Sequence, residues 1–139
     1  MEESKFQFKD FNIIRSLIER KEGESSKKIS LGFAPKGIIN KEDSSFRLQL
    51  GVKIEDENKT FNIEIEAVAN YNFENKIALD SLNNLFFVNA PALLFPYIRA
   101  YISTLTNLSG FEPINLPTLN MTRLGEDLKK NTTELQEKN

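Results

Sequence analysis

The chain has 139 residues, 40 % of them apolar, with 18 basic and 20 acidic side chains, a net charge of −2, and neither cysteine nor histidine. That is enough chain for one domain with its own core. It excludes disulfides, thiol nucleophiles, Cys/His zinc sites and Ser-His-Asp catalysis, and it gives no basic surface for sequence-independent binding of nucleic acid.

The first residues, MEESKFQFKDF, are charged and lack an apolar h-region, and no apolar run approaches a membrane span. The expectation is a soluble, cytoplasmic protein folded as a single unit over residues 1–139. In residues 5–20, Phe6 and Phe8 alternate as in a strand, whereas Phe8, Phe11, Ile14 and Leu17/Ile18 also suit a helix. The abundance of β-branched and aromatic residues favours a long strand with an irregularity near Asp10. A charged loop, ERKEGESSKK, follows.

Ile29, Leu31 and Phe33 alternate with small residues, giving a short strand that Pro35 is expected to stop. Lys36 to Ser44 then reads as a turn-rich connection. Phe46, Leu48, Leu50, Val52 and Ile54 face one way along the next strand. After a polar turn at Asp56–Lys59, Phe61, Ile63, Ile65, Ala67, Ala69, Tyr71 and Phe73 do the same along its partner. These two long strands form an antiparallel pair with one buried and one wet face.

From Asp80 onward the period is helical. Asp80 or Ser81 can cap a short helix through Leu82, Leu85 and Phe86. Leu94, Ile98, Tyr101, Leu105 and Leu108 then make one helical stripe, widened by Phe95 and Ile102. Pro91 suits a first turn, and Pro96 either kinks the helix or begins it. Gly110 supplies a left-handed stop. The back of this helix carries Ser103, Thr104, Thr106 and Asn107, and between Pro91 and Ser109 its only charge is Arg99. A helix lying on a small sheet normally shows water a row of charges. An uncharged back therefore points to a second protein surface, against the plainer reading of a Ser/Thr-rich exposed face. Residues 111–120 form a proline-containing apolar crossover. Met121, Leu124, Leu128 and Leu135 mark a final helix, with a tail that frays over 133–139. The fold class is α+β: strands first, then helices gathered on one face.

Catalytic constellations are scarce: there is no P-loop, GxGxxG, GxSxG or HExxH, and no cofactor is implied. Glu64 and Glu66 lie two apart on a solvated strand face, without the burial that would tune an acid/base pair. The informative feature is apolar surplus. Phe111, Ile114, Leu116, Leu119 and Met121 crowd the crossover, beyond what one helix face needs to cover a four-stranded sheet, which implies assembly or an apolar groove.

Leu94-Phe95-Pro96-Tyr97 with Arg99, followed by Gly110-Phe111 and by Asn115-Leu116-Pro117 to Asn120, resembles the SecB family of protein-export chaperones. The resemblance covers roughly residues 6–130. It implies a four-stranded antiparallel sheet, a long helix, a crossover loop and a terminal helix, assembled as a homotetramer. It also implies a non-enzymatic holdase that keeps unfolded preproteins in apolar grooves and passes them to SecA. On that resemblance, Phe111, Ile114, Leu116, Leu119, Met121, Leu124 and Leu128 line or close the groove. Arg99, Ser103, Thr104, Thr106 and Asn107 face the oligomer, and Glu64 with Glu66 marks SecA docking. Asn62, Arg47 and Lys53 make the outer face mixed where export members are acidic, which favours the alternative of a solitary chaperone for an antitoxin. A small apolar ligand or lipid in the groove is the reading from a different class.

Overall fold

The computed structural model describes residues 6–116 and 119–135. Strands β1 (Phe6–Arg20), β2 (Ile29–Asn40), β3 (Ser45–Asp56) and β4 (Phe61–Phe73) precede the helices α1 (Lys76–Asp80), α2 (Asn84–Leu108) and α3 (Met121–Lys130). A short strand β5 (Thr132–Glu134) follows. The five strands form one sheet of order β1-β4-β3-β2-β5.

Period-two alternation builds the centre of this sheet. Leu48 lies opposite Ala69 and Val52 opposite Ile65. The odd-numbered side of β4 and the even-numbered side of β3 are buried under the helices, while their alternates face water or are half-covered. β1 pairs with β4 through register shifts between Phe8 and Asp10 and between Ile13 and Arg15. At each shift an extra residue bulges out of the ladder, so Phe8 and Phe11, three apart, both reach the core face. That insertion explains why a strand carries a helix-like spacing. It also sets Ser16 on the helix side of the sheet, where, still exposed, it accepts from the Tyr101 hydroxyl at 2.9 Å.

The Asp56–Thr60 turn is organised by one carboxylate. Asp56 is buried and accepts from the Thr60 amide at 2.7 Å, the Thr60 hydroxyl at 2.6 Å, the Phe61 amide at 3.1 Å and the Ser26 amide at 3.0 Å. Burial pushes its pKa up, but these hydrogen bonds together outweigh burial and hold it well below the usual carboxylate range. The β3–β4 turn is thereby stitched to the β1–β2 loop.

Several sequence expectations change. Pro35 does not stop β2, which runs on to Asn40 in unbroken register with β3. The carbonyl of Pro35 accepts from the Asn131 side chain and the Gly37 amide donates to Asn131, so this parity of β2 points away from β3 and the ladder loses no donor at Pro35. The sheet has five strands, not four. β5 runs parallel to β2 over Gly37–Ile39, so Thr133 and Glu134 of the expected frayed tail are paired. A Cβ on Gly37 would meet the Phe46 ring and the Thr132 hydroxyl at 2.5 Å, so glycine permits this approach. Lys41 braces the same corner, with Glu134 at 2.9 Å and Asp80 at 3.4 Å. Leu135 lies beyond α3 and is 57 % exposed. The tail from Gln136, and Pro117 and Thr118 of the crossover, lie outside the described residues.

The helices are also redrawn. Asn75, not Asp80 or Ser81, caps α1, and Asn83 caps α2, each accepting through its side chain from an amide three residues on. α2 runs unbroken through Pro91 and Pro96. It is long and apolar enough to cross a bilayer. Leu94, Ile98 and Ile102 are nevertheless fully buried on the sheet, which accounts for that apolarity as core. Leu108 leaves the expected stripe and is 80 % exposed. Gly110 ends the helix with φ 85°, in the left-handed region. The Tyr71 phenol, whose pKa burial pushes up, donates to the Ala90 carbonyl and fixes α2 on β4.

Candidate functional site

The crossover leaves α2 under the control of Thr106. This side chain is wholly buried within the chain. Its hydroxyl donates to the Ile102 and Ser103 carbonyls and accepts from the Ile114 amide at 3.0 Å. Phe111 folds back on the Phe61 ring with centroids 6.3 Å apart, and the Arg20 guanidinium lies over the Phe111 ring, 5.3 Å from its centroid. Leu116 drops into the core. Asn120 then caps α3 by accepting from the Thr122 amide.

α3 lies against α2 because Gly125 permits it. A Cβ there would stand 2.9 Å from the Phe87 carbonyl oxygen and from Val88 Cγ2. Pro91 has no N–H to give the Phe87 carbonyl, so α3 reaches α2 where the helix ladder is already open. Leu124 and Leu128 are buried beneath it. Lys129 Nζ donates to Asn84 Oδ1 at 2.9 Å, and the Thr132 hydroxyl donates to the Leu128 carbonyl at 2.6 Å.

Between this helix and the sheet lies an open groove of about 380 Å³, lined by Leu31, Phe33, Leu119, Met121 and Leu124 and rimmed by Asn120, Arg123 and Asp127. Its volume falls within the range of small-ligand sites. Of the residues expected at the groove, Leu119, Met121 and Leu124 line it. Leu116 and Leu128 are core beneath it, and Phe111 and Ile114 brace the crossover further along. Leu31 and Phe33 were legible as the inward half of a strand, but nothing in their spacing marked them as groove floor. Arg123 and Asp127, one helical turn apart, carried no signal beyond an exposed helix face.

On the back of α2, Leu93, Tyr97, Ala100, Thr104, Asn107 and Leu108 form an exposed strip without a charge. Ser103 borders it, half-buried, whereas Thr106 faces the crossover instead. Arg99 lies over the Phe95 ring at 5.2 Å. On the outer sheet face, Glu64 pairs with Arg15 at 3.1 Å and lies across from Lys53, and Glu66 lies opposite Arg15 and Gly51. Among the described residues, no three acidic side chains converge to hold a metal ion.

The family model described as preprotein translocase subunit SecB matches residues 15–131. The chain belongs to the SecB family. A protein-export protein SecB of Bartonella bacilliformis is 30 % identical over 134 residues, covering 91 % of this chain and 82 % of that protein. One of Jannaschia sp. is 29 % identical over 69 % of this chain and 57 % of its own length. An uncharacterized protein of Methanocaldococcus jannaschii is 38 % identical over 43 % of this chain and 41 % of its own. In these last two matches the chain spans about half the length of the relative. Among solved structures, a Mycobacterium tuberculosis SecB-like chaperone in complex with a ChAD peptide from the HigA1 antitoxin superposes with a TM-score of 0.64. It is 18 % identical, and the match covers 84 % of this chain and 91 % of that one. The chain thus shares its family with the SecB proteins and its fold with the M. tuberculosis protein.

Proposed function

We propose that this chain is a non-enzymatic holdase that takes extended, unfolded segments of polypeptide into the groove between β2, the crossover and α3. The observation that carries this is the groove itself: an open apolar trough with a polar rim, on a fold shared with a peptide-bound SecB-like chaperone. Each large apolar side chain buried there would contribute about 1.5–3 kcal/mol before ordering costs. Met121 and the aromatic floor adapt to varied shapes, which suits a broad set of clients. No nucleotide or cofactor is needed for such binding. The protein would act in the cytoplasm as a homotetramer, its α2 backs packed through Ser103, Thr104 and Asn107.

The export reading has preproteins as clients and SecA as receiver, and the relatives named as protein-export proteins support it. A specific observation favours the second reading, a dedicated antitoxin chaperone. The Arg15–Glu64 pair, with Lys53 beside it, cancels the acidic character that docking on this face would use. The antitoxin peptide held by the M. tuberculosis relative points the same way.

The holdase reading is tested by adding purified protein at stoichiometric ratio to a reduced, unfolded substrate. Delayed aggregation is expected, and no delay overturns it. Retention of SecA on immobilised protein, abolished by Glu64→Lys, would support export. Failure to retain SecA would leave the antitoxin reading in its place.

A further inference from the structure

We propose that Met121 is a reversible oxidation site: a peroxide converts its thioether to the sulfoxide, and the sulfoxide weakens the hold of the groove on its occupant. This rests on the reading of the groove as a polypeptide site. It goes further by making that site respond to an oxidant through a single sulfur atom, in a chain without cysteine.

Thiols and thioethers are the side chains that peroxides oxidise most readily, and their reach follows exposure. The chain has no cysteine and two methionines, Met1 and Met121, so Met121 carries the only sulfur among the described residues. It stands at the first position of α3, half-buried, and its side chain lines the open groove. An oxidant can therefore reach it without any unfolding. In the step itself, a sulfur lone pair attacks one oxygen of hydrogen peroxide, and the O–O bond breaks as the S–O bond forms. Sulfur is oxidised by one electron pair. The departing hydroxide takes the proton of the transferred oxygen and leaves as water. Thiol-dependent sulfoxide reductases return the thioether, which makes the change reversible.

The neighbours of Met121 decide what the sulfoxide does. Leu31, Phe33, Leu119 and Leu124 share the lining with it, and none has a side-chain donor. The side-chain donors of the lining, Asn120 and Arg123, stand exposed on the rim. In the empty groove, water satisfies the sulfoxide oxygen. An apolar segment laid over it either leaves that acceptor unpaired or traps water beside it, and both outcomes oppose binding. A buried acceptor without a partner is worth about tenfold or more in affinity. The fold itself is spared. Met121 packs against the edge of the core and is not part of it, while Leu124 and Leu128 hold α3 down from beneath. The oxidised protein is thus a folded one whose groove has become wet.

The test treats purified protein with hydrogen peroxide, destroys the excess with catalase, and confirms by mass spectrometry the gain of one oxygen on the tryptic peptide that contains Met121. The treated protein is then mixed with a reduced, unfolded substrate. About tenfold more of it should be needed for the same delay of aggregation, while its thermal melt stays cooperative. Methionine sulfoxide reductase with a thiol reductant should restore the untreated behaviour. Met121→Leu, compared only with its own untreated form, should lose nothing on treatment. Unchanged holding by protein whose Met121 is fully oxidised overturns the oxidation site as a control of binding and leaves the holdase reading standing. An equal loss in treated Met121→Leu does the same, because the damage then lies elsewhere. Met121 left unoxidised while a free methionine peptide in the same tube is converted overturns it too, by showing the groove closed to the oxidant. If the untreated protein delays no aggregation, both readings fail.

Discussion

Gly125→Ala sets two effects of opposite sign against each other. In a helix interior, alanine is favoured over glycine by about 1 kcal/mol, so propensity alone predicts a more stable protein. The structure predicts the reverse. The added Cβ would stand 2.9 Å from the Phe87 carbonyl oxygen, 3.0 Å from its carbon and 2.9 Å from Val88 Cγ2. Two of these neighbours are main-chain atoms of α2, a helix held by the fully buried Leu94, Ile98 and Ile102, and they cannot rotate aside. α3 must therefore lift, carrying Leu124 and Leu128 with it. Because the contacts include main-chain atoms that cannot move aside, the cost falls in the upper part of the overpacking range, about 2–3 kcal/mol, which leaves a net loss of about 1–2 kcal/mol once the propensity gain is set against it. For a chain of this size that is a fall of roughly 3–8 °C in Tm. Urea and thermal unfolding followed by circular dichroism measure it. Gly51→Ala, whose Cβ would meet nothing closer than 3.5 Å, serves as the control and should be near neutral. A Gly125→Ala protein as stable as the parent, or more so, would refute the close α2–α3 approach and the groove geometry that depends on it.

Three further outcomes follow from other parts of the molecule. Asp56 has its folded-state pKa lowered, so its contribution to stability is present above the ordinary carboxylate value of about 4 and lost as pH falls below it. Asp56→Asn should flatten that acid loss in thermal melts taken between pH 5 and 2, and an unchanged acid limb would show the carboxylate to be inert. Thr106→Val keeps the shape but removes the acceptor for the Ile114 amide, so a loss of about 1–3 kcal/mol is expected, with faster exchange at Ile114; unchanged exchange would dismiss Thr106 as the anchor of the crossover. Thr104→Glu places a charge on the exposed strip of α2 without touching the core, so it should lower the mass seen by light scattering while Thr106→Val does not. A parent protein that already scatters as a monomer would dispose of the assembly surface.

The sheet was legible because β3 and β4 alternate without fault, so their phase could be read directly from Phe46 to Phe73. β1 was readable as a strand through its composition, while its Phe8–Phe11 spacing pointed to a helix because bulges are invisible in a one-dimensional pattern. Pro35 misled for a related reason: whether a proline breaks a ladder depends on which edge its nitrogen faces, and the sequence carries no sign of that. β5 could not be foreseen because Thr132–Glu134 has no apolar pattern and is held by Asn131, Lys41 and the room left by Gly37. At the site, the crossover and α3 were legible as apolar surplus. The groove floor was not, since Leu31 and Phe33 differ from core residues only in what fails to cover them.

The two walls of the groove come from distant parts of the chain: the floor from β2 near its beginning, the opposite side from the crossover and α3 near its end. Contacts of such long sequence separation form late, after the costly loop closures have been made. A growing chain would thus expose the long strands β3 and β4 well before it owned a surface able to grip anything. The same non-locality makes grip and fold separable on the way down: an excursion that releases α3 and β5 from β2 would empty the groove while β1, β4 and β3 stay paired. On the proposed holdase reading, binding would then depend on the chain's most non-local contacts, and holding of a client should fade on heating before the sheet does.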